Sequence, residues 1–184
     1  MQRIPTRLPG LVLLAPQVHG DTRGFFMETY RADAWAAEGV PTDFVQDNHS
    51  RSRRGTLRGL HFQTHPGQGK LVRCARGSVL DVVVDLRRGS SSFGEWESFE
   101  LDDVEGHQLW VPVGFGHGFC VLSETADFVY KCTNYYDPAT EAGIRFDDPA
   151  VGIEWPGGVE LLYSERDATA PLLSDVADTL PFTV

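Results

Sequence analysis

Cysteine is scarce in this chain, and the three present, Cys74, Cys120 and Cys132, form no C-x-x-C pair. An odd count, with each thiol set in an apolar strand-like run, reads as buried free thiols and suits a reducing cytoplasm. Positive charge is also in short supply: 16 Lys and Arg against 26 Asp and Glu leave a formal net charge of -10. That balance argues against general nucleic-acid binding, which rests on a basic surface. Long hydrophobic runs are missing. The N-terminus, MQRIPTRLPGLVLLAPQ, holds a short apolar stretch broken by Pro9 and Pro16. It has neither the apolar length nor the small-residue cleavage site of a signal peptide, and nothing approaches a membrane span. No linker, low-complexity tract or internal repeat divides the chain. Its 184 residues are therefore expected to form one domain, residues 1–184, with a sizeable core.

What the chain does have is a succession of short strand-like runs parted by Gly, Pro and Asp turns. The first are Leu11–Leu14, Gly24–Tyr30, Phe44–Asn48, Thr56–Gln63 and Lys70–Arg76. Val79–Leu86, Trp96–Leu101, Gln108–Val111, His117–Leu122 and Phe128–Tyr135 follow. Arg76-Gly77-Ser78 reads as a hairpin turn. Within Lys70–Arg76, Leu71 and Arg73 face away from Val72 and Cys74. One helix is expected over Asp33–Glu38, started by Asp33 and stopped by Gly39, and a further helical turn near Ala168–Leu173. Many short strands and few short helices indicate an all-β sandwich or jelly-roll barrel, whose mouth and interior can hold a small ligand.

One segment departs from the acidic background. Asp47–Gln63, DNHSRSRRGTLRGLHFQ, carries Arg51, Arg53, Arg54 and Arg58 together with His49 and His61. A local Arg cluster in an acidic protein suggests a discrete anionic group, such as a pyrophosphate. The segment ends on LRGLHFQ, whose alternation puts Leu57, Gly59, His61 and Gln63 on one face and Arg58, Leu60 and Phe62 on the other. A His inside a concave sheet, fed by a basic loop, suits proton abstraction from a phosphorylated substrate. A buried, satisfied His beside a solvated Arg loop explains this segment equally well, and Arg51, Arg53 and Arg54 are read as that loop. His19, His65 and His107 lie near turns and read as surface residues.

Downstream, Pro112-Val113-Gly114-Phe115-Gly116-His117 matches half of the pattern of cupins, a jelly-roll superfamily. Metal-binding cupins usually carry an H-x-H pair as well, but His61 is followed by Phe62 and Gln63. A transition metal needs three or four convergent ligands, and His61 and His117 offer two. No bound metal is expected. No cofactor is expected either, since no Gly-rich dinucleotide loop follows a strand; Gly114-Phe115-Gly116 belongs to the cupin-type turn.

Taken in order, these segments resemble the dTDP-4-dehydrorhamnose 3,5-epimerase family, metal-free cupins of sugar-nucleotide metabolism. The resemblance runs through GDTRGFFMETY (Gly20–Tyr30), VQDNHSRS (Val45–Ser52), LRGLHFQ (Leu57–Gln63) and QGKLVRC (Gln68–Cys74). It continues in QLWVPVGFGHGF (Gln108–Phe119), YKCTNYYDP (Tyr130–Pro138), GIEWP (Gly152–Pro156) and SERDATAPLL (Ser164–Leu173). It implies a cupin jelly-roll homodimer with N-terminal strand exchange, acting on a dTDP-linked 4-keto sugar.

Epimerisation beside a ketone needs a base, a group to hold the enolate oxygen and an acid on the opposite face. His61, whose ordinary pKa lies near working pH, is the base of choice. The resemblance makes Asp167 its orienting partner, Tyr130 the acid, Lys70 the enolate-stabilising cation and His117 a second active-site imidazole. A phenol, with an ordinary pKa of about 10, arrives protonated. The resemblance also assigns substrate contacts to Arg23, Phe26, Glu28, Gln46, Asn48, Arg58, Glu141 and Arg166, and nucleobase stacking to Tyr136. Arg23 is the residue expected to cross the dimer. Arg guanidinium groups fit the diphosphate as bidentate forks. Two departures from the family pattern are a shorter FQTHPGQG loop after His61 and Val113 in place of an acidic residue.

The leading reading is inversion of carbons 3 and 5 of dTDP-4-keto-6-deoxyglucose to give dTDP-4-keto-rhamnose. The alternatives are a single-centre 3- or 5-epimerase of a deoxysugar pathway, a metal-dependent cupin oxygenase and a non-catalytic sugar-binding cupin. The expected location is the cytoplasm, with no nucleic-acid or membrane partner.

Overall fold

Alternation of apolar residues along short strands builds the molecule from two facing sheets. A computed structural model describes all 184 residues. The strands are β1 (Gln2–Ile4), β2 (Val12–Ala15), β3 (Val18–Asp21), β4 (Gly24–Met27), β5 (Gln46–Arg53), β6 (Leu57–Gln63) and β7 (Lys70–Arg76). Next come β8 (Ser78–Asp85), β9 (Trp96–Asp102), β10 (Gln108–Val111), β11 (Phe115–Val121), β12 (Thr125–Cys132) and β13 (Glu141–Gly143). Short helices α1 (Ala32–Ala37), α2 (Glu165–Thr169) and α3 (Leu173–Val176), with a 3-10 turn over Ala177–Thr179, complete the set. One sheet has the order β1-β2-β10-β7-β12-β5 and the other β13-β6-β11-β8-β9, while β3 and β4 form a separate two-stranded hairpin. This is the jelly-roll arrangement of cupins.

Strands β2, β8, β10 and β11 are buried nearly throughout because both of their faces are covered. Val72, Leu109, Val83 and Val121 meet in the central cluster between the sheets. Their neighbours Val82, Val84 and Leu60 pack outward against Leu173, Leu180 and Phe182 of the C-terminal segment. On the other side Val12, Leu14, Leu71 and Trp110 pack against Trp35 and Val40 around α1. Each such side chain contributes about 1.5–3 kcal/mol on full burial.

Three local expectations are corrected. Arg76-Gly77-Ser78 is not a hairpin turn: β7 and β8 lie in different sheets. Gly77, at φ +76°, carries the chain across where an added Cβ would meet Ser123 Oγ and the Thr125 carbonyl at 2.3 Å. Arg51 and Arg53 are not loop residues, because β5 runs through them and Arg51 pairs with Asp127 at 2.6 Å. Helix α1 begins after Arg31, so Asp33 sits in its first turn rather than at its cap, while Gly39 ends it at φ +81°. Near the C-terminus the helical turns fall at α2 and α3, on either side of Pro171. No helix is long and apolar enough to cross a membrane.

Candidate active site

Between the two sheets lies a cavity of about 500 Å³ lined by Arg58, His61, Lys70, His117, Tyr130 and Asp167. Strands β6 and β11 of the five-stranded sheet supply Arg58, His61 and His117, β7 and β12 of the facing sheet supply Lys70 and Tyr130, and α2 supplies Asp167. Imidazole and phenol therefore enter the cavity from opposite walls.

Simple alternation would turn Arg58 away from His61, yet both line the cavity. The register explains why: His117 pairs with His61 but Phe119 with Arg58, so β6 carries an extra residue at this point. Gly59 sits there at φ +146°, and a Cβ on it would lie 2.5 Å from the Gly118 Cα. Only glycine on both strands permits that approach, and the resulting bulge re-aims the side chains on either side.

His61 Nε2 lies 2.6 Å from Asp167 Oδ1. The carboxylate accepts a hydrogen bond from Nε2–H, which leaves Nδ1 as the basic nitrogen. Asp167 is 4% exposed. Burial opposes its ionisation, but hydrogen bonds from His61 and around Ser164 outweigh that and hold its carboxyl below the ordinary value. Ser164 caps α2 by accepting the Asp167 backbone N–H at 3.1 Å, so the helix start fixes where the carboxylate sits.

A second buried pair stands beside the first. His117 Nε2 bonds both Asp81 oxygens, at 3.1 and 2.9 Å, and Asp81 is fully buried. Burial pushes the Asp81 carboxyl up, with His117 and Lys70 opposing the rise. Burial likewise pushes the Lys70 amine below its ordinary value, offset partly by Cys132, Glu141 and Asp81. Burial raises the Tyr130 phenol, with Asn48 and Arg58 acting the other way.

At the mouth, Arg58 donates to the neutral Ser52 hydroxyl at 3.2 and 3.1 Å, which orients its guanidinium while leaving its charge for an anion. Glu141 accepts from Arg166 at 2.5 Å and from the Tyr136 hydroxyl at 2.8 Å. Burial raises the Glu141 pKa, but these bonds prevail and hold it low. Gln46 and Asn48 are bonded to one another, 3.1 Å apart. No group of three or more His, Cys, Asp or Glu is gathered as a metal-ligand set.

Arg23, Phe26 and Glu28 are not brought to this cavity within one chain. Arg23 lies on the exposed β3–β4 hairpin and bonds Asp21, Phe26 is 73% exposed, and Glu28 pairs with Arg31 at 3.8 Å. Sequence reasoning missed Asp81, Ser52 and Ser164. Asp81 had a signal: with Asp85 it is one of two charges set among apolar residues in the run Ser78–Asp85, and a buried charge needs a partner.

The profile of the family described as dTDP-4-dehydrorhamnose 3,5-epimerase matches residues 5–175. A protein of that name from Salmonella typhimurium is 51% identical over 172 residues, covering 92% of this chain and 94% of its own. Another from Neisseria gonorrhoeae is 53% identical over 168 residues and 91% of this chain; the chain spans about half (51%) of that relative's length. A Legionella pneumophila dTDP-6-deoxy-D-glucose-3,5-epimerase, solved in complex with dTDP-4-keto-L-rhamnose, superimposes with a TM-score of 0.95 at 45% identity, covering 100% of this chain and 98% of that one.

Proposed function

Because this chain belongs to the dTDP-4-dehydrorhamnose 3,5-epimerase family, we propose that it converts dTDP-4-keto-6-deoxyglucose to dTDP-4-keto-rhamnose by inverting carbons 3 and 5. The observation that carries this reading is the entry of His61 and Tyr130 into one cavity from facing sheets, with Lys70 and His117 beside them.

Carbons 3 and 5 both flank the carbon-4 ketone, so each carries an acidified proton. His61 Nδ1 takes that proton, and Asp167 stabilises the imidazolium that forms. The electrons of the broken C–H bond move onto the ketone oxygen, where the Lys70 ammonium and His117 meet the growing charge. Tyr130 then delivers a proton to the same carbon from the other face, inverting it. A second cycle after the ring turns serves the other centre. Every step is redox-neutral proton transfer. Arg58 and Arg166 hold the diphosphate, Arg166 exchanging Glu141 for it, and Tyr136 stacks on the nucleobase. Arg23, Phe26 and Glu28 complete the site from a second copy of the chain. The exposed hairpin that carries them has little to pack on within its own chain, and an isolated two-stranded hairpin is marginal in water.

The test is proton NMR of dTDP-4-keto-6-deoxyglucose incubated with the protein in deuterated water. Deuterium at carbons 3 and 5 with both centres inverted is expected. Inversion at one centre alone would reassign it as a single-centre epimerase, and no exchange at all would reject the reading.

A further inference from the structure

The hydrogen-bond polarity behind Tyr130 is set by a group outside the cavity. The Tyr136 backbone N–H donates to Gln46 Oε1 at 2.9 Å. A backbone N–H can only donate, so it fixes which end of the Gln46 amide faces it. Gln46 Nε2 must then face Asn48, and it donates to Asn48 Oδ1 at 3.1 Å. That in turn leaves Asn48 Nδ2 on the far side, 3.6 Å from the Cys132 sulfur. Asn48 and Tyr130 are direct cross-strand partners in the β5–β12 ladder, and Cys132 stands opposite both Gln46 and Lys70. A thiol is a weak acceptor, and the Asn48 side chain also acts on the Tyr130 phenol across the ladder, opposing the rise that burial causes.

We propose that Gln46 and Asn48 are positioning residues, forming a relay that donates to the Tyr130 oxygen, turns its O–H toward the sugar and stabilises the phenolate left when that proton departs. The Tyr130 O–H bond breaks, a C–H bond forms on the sugar, the electron pair stays on the phenol oxygen, and Asn48 Nδ2–H bonds it until water returns a proton. The same relay begins at Tyr136, the residue proposed to stack on the nucleobase, so seating the nucleotide and aiming the acid share one chain of bonds. This inference rests on the proposed epimerase reading. It gives Gln46 and Asn48 a role beyond the substrate contacts that the family resemblance assigns to them.

The relay predicts behaviour that plain ligand contacts do not. Asn48→Asp replaces the donor with an acceptor carrying negative charge. Gln46→Glu, which leaves Asn48 in place, removes the donor that orients it. Tyrosine labelled at Cζ, with Tyr130→Phe used to assign the signal, lets the Tyr130 phenol be titrated by NMR without substrate. Its titration is expected to move to higher pH by about one pH unit or more in Asn48→Asp, and by less in Gln46→Glu. In deuterated water, inverted product is expected to fall about tenfold further than deuterium wash-in. Asn48→Ala, which loses the donor without adding charge, gives the same test should Asn48→Asp fail to fold. A Tyr130 titration unmoved in these variants overturns the relay. So does a loss of dTDP affinity that matches the loss of turnover with the wash-in ratio unchanged. If the wild-type protein fails to epimerise the sugar, the proposed function falls while the substrate-free titration still judges the relay.

Discussion

Removing the His61 imidazole tests the base without touching the groups proposed to hold the nucleotide. His61→Ala is expected to lower turnover by about 100- to 10,000-fold, the usual weight of a general base, while dTDP binding by calorimetry stays within a few fold. Substantial residual turnover in a folded variant would remove His61 from the role. Lys70 makes a different prediction, through pH. Its ammonium must be charged to meet the enolate, and burial lowers its pKa from the ordinary 10.5. Activity therefore falls as pH rises through that lowered value, giving an alkaline limb below pH 10.5. A limb below pH 10 is not that of Tyr130, because its own pKa is raised from 10.0. Lys70→Met should lose the limb along with most of kcat; a limb unchanged in that variant would assign it elsewhere. At this scale the sequence was legible where a residue sits in a distinctive motif, as His61 and Tyr130 do. Partners far along the chain were legible only through the family resemblance: Asp167 lies 106 residues from His61, and no local periodicity reports that they touch.

Elements were legible in proportion to how apolar their surroundings are. β7 and β10 read to the residue, because their inner positions Val72, Cys74, Leu109 and Val111 enter the central core. β5 was cut short for the opposite reason. Several of its less exposed positions, Gln46, Asn48, Ser50 and Ser52, are polar, and Ser50 lines the catalytic cavity. A strand that lines a polar site lacks the alternation by which strands are recognised. β3 was missed because all its residues are exposed. The bulge in β6 left no hydrophobic signal, only two glycines. Gly59→Ala tests its importance. The substitution combines a backbone conformation nearly restricted to glycine with a Cβ 2.5 Å from the Gly118 Cα, and a cost of about 2–5 kcal/mol is expected. Urea denaturation measures it, and a loss under about 1 kcal/mol would mean the strands can part without cost.

For the whole molecule, the question is why Phe25 and Phe26, at 61% and 73% exposure, are set on a hairpin that also bears Arg23. A large exposed apolar pair beside a cation is expected to be covered by something. The proposal that a second copy receives the hairpin has a clean test by subunit mixing. Arg23→Ala is expected to weaken substrate binding by about ten- to a hundredfold, the worth of a charge-assisted hydrogen bond or two. His61→Ala removes the base. If Arg23 serves its own chain, no combination of the two variants contains an intact site, and mixing recovers nothing. If Arg23 reaches the partner, a mixed dimer has one site with His61 from the first chain and Arg23 from the second, and one site lacking both. Random exchange makes about half the dimers mixed, so about a quarter of all sites should regain wild-type affinity and rate. The measurement is initial rate at substrate well below saturation, after the two variants are co-refolded at equal concentration. Activity no greater than the mean of the separate variants would confine Arg23 to its own chain, and a protein that stays monomeric by light scattering would leave the hairpin without the partner proposed for it.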